Sequence, residues 1–448
     1  MADKHQHCDC ERCRDHLEFS VPDDLLADFL GGKVTIFAGA GISTESRAVL
    51  KHTFYDSIAD ELKLRRSSLT FPELMEKYCD QPNGRFKLLK KIKDRFDHID
   101  SFPELNKCAT DFHRELGTFF PIRNIVTTNW DVYFEEHCKA TPFVADLDLA
   151  FWEAADRRVL KIHGSIANFG SIVATSIDYK KCQERLTLGI LGGLLKTILA
   201  TQTILFVGYS LSDFDFLAIY EFVKAQMDSL HKQSYVVTPA AAESHKFKAA
   251  GLIPIITDGW YFISQMKKHA VSNGIMLDDE IYDVASDLYD RVREEHHSMY
   301  NAIKLSNHPQ LIYAASYQDG MMHALGRALE MQGTGQYSNE CRIQRSIRAY
   351  LELEKEKLHD GVYEDVAYIE GYLNALTYLL MDRKQRKKAR LPLYYMFGVN
   401  ADVVKMADFI ASLKHNPTAH KASLKRARRL LRKASDPTSI EFHHPPWL

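Results

Sequence analysis

The sequence predicts an α/β chain: a doubly wound parallel sheet followed by an all-helical region. Three observations carry this expectation. Short apolar, β-branched runs alternate with helical periods up to about residue 275. Four of those runs end in polar side chains, three of them with glycine, as in parallel sheets that bind a ligand beyond the carboxyl ends of their strands. From about Asp278 to Lys433 the period is helical almost throughout.

The chain has 448 residues, 46% hydrophobic and 26% charged, enough for two or three domains with sizeable cores and unlike a disordered protein. No apolar run reaches the length of a membrane span and the N-terminus is polar, so the expectation is a cytoplasmic protein without a membrane partner. The eight cysteines are scattered singly apart from Cys8, Cys10 and Cys13, a pattern of reduced thiols. Residues 1–20 read as a polar arm. Their His5, His7, Cys8, Cys10, Cys13 and His16 are also candidate metal ligands, although the second cysteine pair of a structural zinc site is missing.

The elements follow in order. A short amphipathic helix over 22–30 leads into an apolar strand, Val34 to Ala38. Gly39-Ala40-Gly41-Ile42-Ser43 comes next, a turn that lets backbone N–H groups approach an anion, with a helix expected beyond Ser43 to aim its positive end there. Thr44 stands where a dehydrogenase fingerprint has its third glycine. Residues 71–120 read as mostly helical, with Phe86, Leu89, Ile92 and Phe96 on one face. The strand within 123–131 ends in Thr127, Thr128, Asn129 and Asp131, which can serve a ligand or cap a helix. A second strand delivers His163 and Gly164, and the histidine can be structural or chemical. The strand from Thr203 leads to Gly208, Ser210 and Asp213 at the next helix start; residues 234–239 and 252–257 read as further strands. Between Arg383 and Lys433 there are 15 Lys or Arg against Asp402 and Asp408, a local net of +13. Such a cluster can bind nucleic acid, nucleotide or an acidic protein, or can be a solvated face.

Gly39-Ala-Gly-Ile-Ser43, Thr127-Thr-Asn-Trp-Asp131, Lys161-Ile-His-Gly164 and Gly208-Tyr-Ser-Leu-Ser-Asp213 stand in the order found in sirtuins. Over about residues 20–275 the chain resembles the Sir2-like NAD-consuming domains of bacterial antiphage defence proteins more than the sirtuin deacylases. The resemblance implies a Rossmann-like domain over 21–275 and leaves a helical domain with basic clusters over 278–448. Two departures stand out. The deacylase stretch Gly-Ile-Pro-Asp-Phe-Arg is absent after the glycine loop. So are the four zinc cysteines, since only Cys182 lies between His163 and Cys341.

The resemblance implies an NAD hydrolase cleaving the nicotinamide–ribose bond, with NAD as substrate and no metal in the reaction. Asn129 would position the ribose hydroxyls and a water, His163 would act as general base, and Asp131 would bind ribose or fix Asn129. Gly39, Ala40, Gly41, Ile42 and Ser43 would take the pyrophosphate. Gly208, Ser210 and Asp213 would line the adenosine end, with Thr128 also at the site. It further implies NAD depletion in abortive infection, a homo-oligomer, and a partner such as a HerA-type ATPase. The rival readings are a deacylase or ADP-ribosyltransferase, and a nucleotide-binding sensor or scaffold without catalysis.

Overall fold

The structure is a computed structural model; it describes residues 18–46, 49–64, 68–211, 213–399, 402–415 and 420–433. The histidines and cysteines of the N-terminal arm lie outside the described residues. The chain divides into two compact units, with the boundary between Ile275 and Met276. No helix among the described residues is long and apolar enough to cross a membrane.

The first unit is built on a seven-stranded, wholly parallel sheet. Its strands are β1 (Val34–Ala38), β2 (Asn124–Thr127), β3 (Thr141–Phe143), β4 (Arg158–Lys161), β5 (Thr203–Val207), β6 (Tyr235–Thr238) and β7 (Ile253–Ile256). The order is β3-β4-β2-β1-β5-β6-β7. β1 and β5 lie side by side in register, Val34 opposite Thr203 through Ala38 opposite Val207. All ten of their residues are buried, as the central strands of a sheet covered on both faces require. The chain runs outward from β1 through β2 to β4 and β3, then returns to β5 and runs the other way. The crevice beyond β1 and β5 is thus the switch point of the sheet, where ligands of such folds bind. β3 has three residues, too few to show in the apolar pattern.

Helix α1 (Asp23–Leu30) precedes β1, and three helices stand between β1 and α5 (Pro103–Gly117). These are α2 (Phe54–Glu61), α3 (Phe71–Cys79) and α4 (Gly84–Ser101). Capping boxes at Thr53/Asp56 and Thr70/Glu73 start α2 and α3. The lobe has its own core: Phe54, Ile58, Leu74, Met75, Tyr78, Leu88, Ile92 and Phe96, joined by Ile172 and Ala174. The buried face of α4 is Leu88, Ile92, Phe96 and Ile99, whereas Phe86, expected on that face, is 71% exposed. A helix repeats every 3.6 residues, so the stripe that contains Ile92 and Phe96 passes through Leu88.

The remaining helices of this unit are α6 (Tyr133–Cys138), α7 (Ser176–Leu188), α8 (Ile190–Thr201), α9 (Phe214–Met227), α10 (Ser244–Ala249) and α11 (Gly259–Ser272). The second unit contains α12 (Glu280–Ala302), α13 (Leu311–Glu330), α14 (Glu340–His359), α15 (Tyr363–Leu380), α16 (Arg383–Lys388), α17 (Met406–His415) and α18 (Lys421–Lys433). Its core is separate and tyrosine-rich, with Tyr313, Tyr317, Tyr368 and Tyr394 almost fully buried.

Candidate active site

The carboxyl ends of β1, β2 and β5 are stapled together by backbone and by one hydroxyl. Thr127 Oγ1 donates to Ala38 O at 2.9 Å and accepts from Asn129 N at 3.0 Å, which ties the β2 turn to β1. Gly39 N donates to Val207 O and Gly41 N to Gly208 O, each at 3.0 Å. Gly208 has φ +62°, and a Cβ on Gly41 would lie 2.8 Å from Gly208 O. The glycines at these two strand ends therefore let the loops pack on one another as well as on a ligand.

The loop after β1 departs from expectation. Ala40–Ile42 form a single 3-10 turn, and among the described residues the next α-helix starts only at Phe54. Side-chain bonds hold this segment as a loop. Ser43 donates its hydroxyl to Asp131 Oδ2 at 3.2 Å, and the Glu45 carboxylate takes Phe54 N at 2.8 Å and Arg95 Nη2 at 3.0 Å. Among the described residues, three helices begin at the cavity: α2 at Phe54, α3 at Phe71, and α9 at Phe214 with Asp213 in the cap position.

Asp131 is almost fully buried. Its second oxygen takes Tyr133 N at 3.3 Å, so the carboxylate bridges the β2 turn and the glycine loop. Burial raises its pKa, opposed by Lys161 and by the Tyr133 and Ser43 hydrogen bonds. Lys161, the last residue of β4, is fully buried. Its ammonium donates to the Asp131 carbonyl and, at 2.9 Å, to Glu135 Oε1. Asn129 is different. It is 4% exposed, and neither its Oδ1 nor its Nδ2 has a hydrogen-bond partner among the described residues. A buried amide without partners marks a place where a polar ligand group belongs.

His163 lies two residues beyond β4. Its Nε2 is 2.9 Å from Asp215 Oδ2, and its ring packs on Tyr179 with centroids 4.8 Å apart. Burial alone would lower the imidazole pKa; the charge and hydrogen bond of Asp215 outweigh it and hold the value above the ordinary one. Burial works against the Asp215 carboxylate too, but His163 wins and its pKa is lowered. Cys182 completes a buried trio with these two, all ligand-type atoms within 4.8 Å. Its donors are a poor metal set: burial pushes the thiol up to about 12, and Arg185 Nη2 lies 3.7 Å from the sulfur.

These side chains surround a cavity of about 650 Å³, within the roughly 300–1,000 Å³ of small-molecule sites. Of the residues singled out from sequence, Gly39, Ala40, Gly41, Thr128, Asn129, Asp131, His163, Gly208, Ser210 and Asp213 line it. Ile42 and Ser43 do not; Ser43 is fully buried behind the loop. Sequence reasoning missed Asp215, although it stands two residues after Asp213 in the same helix start. It also missed Tyr179, which donates its hydroxyl to Asp213 at 2.8 Å. The opposite wall comes from the helical lobe, with Phe54, Phe71, Ile92, Arg95 and Phe96, and Trp130 packs edge-on against Phe54. Only Trp130 among these lay in a motif.

A doubly wound parallel sheet with a cavity at its switch point defines a Rossmann-like α/β domain. Residues 123–255 match the family profile of a SIR2-like domain. The chain is 28% identical over 217 residues to Defense-associated sirtuin 2 of Bacillus subtilis, covering 46% of this chain and 21% of that protein. It is 30% identical over 221 residues to the NAD(+) hydrolase ThsA of Cytobacillus dafuensis, covering 47% and 43%. The NAD(+) hydrolase ThsA of Enterococcus faecium is 29% identical over 189 residues, covering 41% and 38%. The chain thus spans less than half the length of each of these relatives.

Proposed function

We propose that residues 21–275 form an NAD+ glycohydrolase that cleaves the bond between nicotinamide and ribose, releasing nicotinamide and ADP-ribose. The observation that carries this reading is the unpartnered, buried Asn129 amide lining the same cavity as His163. Nicotinamide is already a cationic leaving group and needs no acid. The protein's work is to hold the ribose, exclude bulk water and direct one water to the developing oxocarbenium centre. The Asn129 amide offers donor and acceptor to ribose hydroxyls and to that water, and His163 removes the water's proton. Asp131 acts on the shape of the site by tying the β2 turn to the glycine loop. The pyrophosphate falls to the Gly39–Gly41 loop and the start of α9, where the helix end is positive.

The names of the relatives, NAD(+) hydrolase and defence-associated sirtuin, support the reading. With it we propose that NAD loss serves antiphage defence by abortive infection, and that the chain assembles as a homo-oligomer. A HerA-type ATPase, an acidic protein or nucleic acid would meet the basic stretch of the second unit. Hydrolysis is favoured over deacylation because the only cysteine between His163 and Cys341 is Cys182, which is buried against His163 and Asp215. A time course of NAD with the purified chain tests this. Nicotinamide should appear without any acyl-peptide or added zinc, and Asn129→Ala and His163→Ala should each abolish it while remaining folded by circular dichroism. Strict dependence on an acetylated peptide would favour the deacylase instead.

A further inference from the structure

Asp215 belongs to none of the motifs that point to the site, yet it makes the strongest polar contact of the presumed base. We propose that Asp215 is the positioning residue of this centre: it holds His163 through Nε2–H and so makes Nδ1 the nitrogen that acts in the cavity. This rests on the glycohydrolase reading for its catalytic consequence, but not for its geometry.

Asp215 is fully buried in the first turn of α9. Its Oδ1 takes the Phe216 N–H at 2.9 Å and its Oδ2 lies 2.9 Å from His163 Nε2. An ionised carboxylate only accepts hydrogen bonds, and beside His163 this one is held ionised. The imidazole nitrogen facing it must therefore carry the proton, whether the ring is neutral or charged. With Nε2 committed, the remaining nitrogen is Nδ1, on a residue that lines the cavity. The ring is also held between elements, since Tyr179 on α7 packs against it, tilted by 59°, and is itself bonded to Asp213. A carboxylate in this position does two things for a base. It fixes one tautomer, and it stabilises the imidazolium that forms when the water gives up its proton.

Other charges face the ring as well. Asp213 lies on the α9 side, Arg185 and Cys182 on α7, and Asp131, Glu45 and Arg95 line the cavity across from it. Among these, the charge of Asp215 acts most strongly on the imidazole, with Asp213 weaker and Arg185 opposed.

The test is Asp215→Asn in the full chain, with two readouts: the pH profile of NAD consumption, and the titration of His163 by NMR with labelled histidine, its signal assigned by loss in His163→Asn. The amide keeps the shape and removes the charge. The expected result is a fall in kcat on the order of 10²-fold, the low end of what a positioned general base contributes. The acid limb of the profile and the His163 titration should both move to lower pH, because burial is then opposed only by the weaker charge of Asp213. A loss of activity with the limb and titration unmoved would reduce Asp215 to a structural role and overturn the proposal. If the variant does not fold, the wild-type tautomer decides: ¹⁵N shifts showing Nδ1–H in neutral His163 would overturn it, and Nε2–H would uphold it. A wild-type chain that releases no nicotinamide would sink the proposed activity, while the NMR titration would still test the pairing itself.

Discussion

Lys161 and His163 stand two residues apart at the end of one strand and take opposite roles. The ammonium of Lys161 is wholly withdrawn from solvent and holds Glu135 and the Asp131 carbonyl. Lys161→Met keeps much of the side-chain volume but leaves the half-buried Glu135 without its cation, a change that costs about 3 kcal/mol. Urea unfolding should show the lower midpoint with an unchanged slope, and adding Glu135→Gln should recover part of the loss. The His163–Asp215 pair makes a pH statement with two signs. A raised imidazole pKa contributes stability that is full below the ordinary histidine value and is lost as pH rises through the folded value. The lowered Asp215 pKa contributes stability above the ordinary carboxylate range that is lost as pH falls through its own folded value. A base must be neutral, so activity should rise across the alkaline part of this window while the pair's stabilisation decays. Parallel pH series of kcat/KM and of denaturation midpoint check both trends. At this scale the sequence located the cavity residues that sit at strand ends, as with Asn129 and His163. It did not locate Asp215 and Tyr179, because their partnership with His163 and Asp213 exists only once α7 and α9 have packed.

The strands β1, β2, β4 and β5 were readable from short apolar runs, since strands of a covered parallel sheet are apolar on both faces. The glycine loop was misread in one respect. Its following helix is missing because Ser43 and Glu45 spend their side chains on Asp131, Phe54 and Arg95, long-range contacts that no local period reveals. The helical lobe was recognised as helical but not as a wall of the site. Ile92 and Phe96 show why the two properties are linked, because each belongs to the lobe core and also lines the cavity. Ile92→Ala removes a side chain that is 1% exposed and should cost about 2–5 kcal/mol of stability. It should also raise KM for NAD, because the wall formed by α4 would relax. Leu74→Ala, equally buried in the lobe but absent from the cavity lining, should lower stability with a smaller change in KM. Urea melts and steady-state kinetics on the two variants separate the effects.

Charge is distributed over the whole molecule in a way that the formal net of −2 conceals. Residues 383–433 carry +13, so the rest of the chain carries −15. In α18 the buried side is Ser423, Leu424 and Ala427, and Arg426 is anchored to Glu364 with Nε contacts at 2.9 and 3.1 Å. Lys421, Lys425, Arg428, Arg429 and Arg432 remain exposed on the other side, a stripe at three- and four-residue spacing. Unlike Arg426, none of these five cations forms an ion pair among the described residues. A basic stripe on a chain that is otherwise acidic is complementary to a second copy of the same chain, and such complementarity chiefly sets encounter and register. We therefore expect the proposed homo-oligomer to weaken as salt rises, because exposed charges more than about 10 Å apart are screened at roughly 0.1 M ionic strength. Light scattering at low and high salt should show the mass fall. A variant with Lys425, Arg428 and Arg432 all changed to Glu should be smaller than wild type even at low salt, while its core, built on Leu424 and Ala427, stays folded. A wild-type mass that is independent of salt and equal to that of the charge-reversed variant would assign assembly to apolar surface instead and leave the stripe for nucleic acid, which a titration with duplex DNA would then detect.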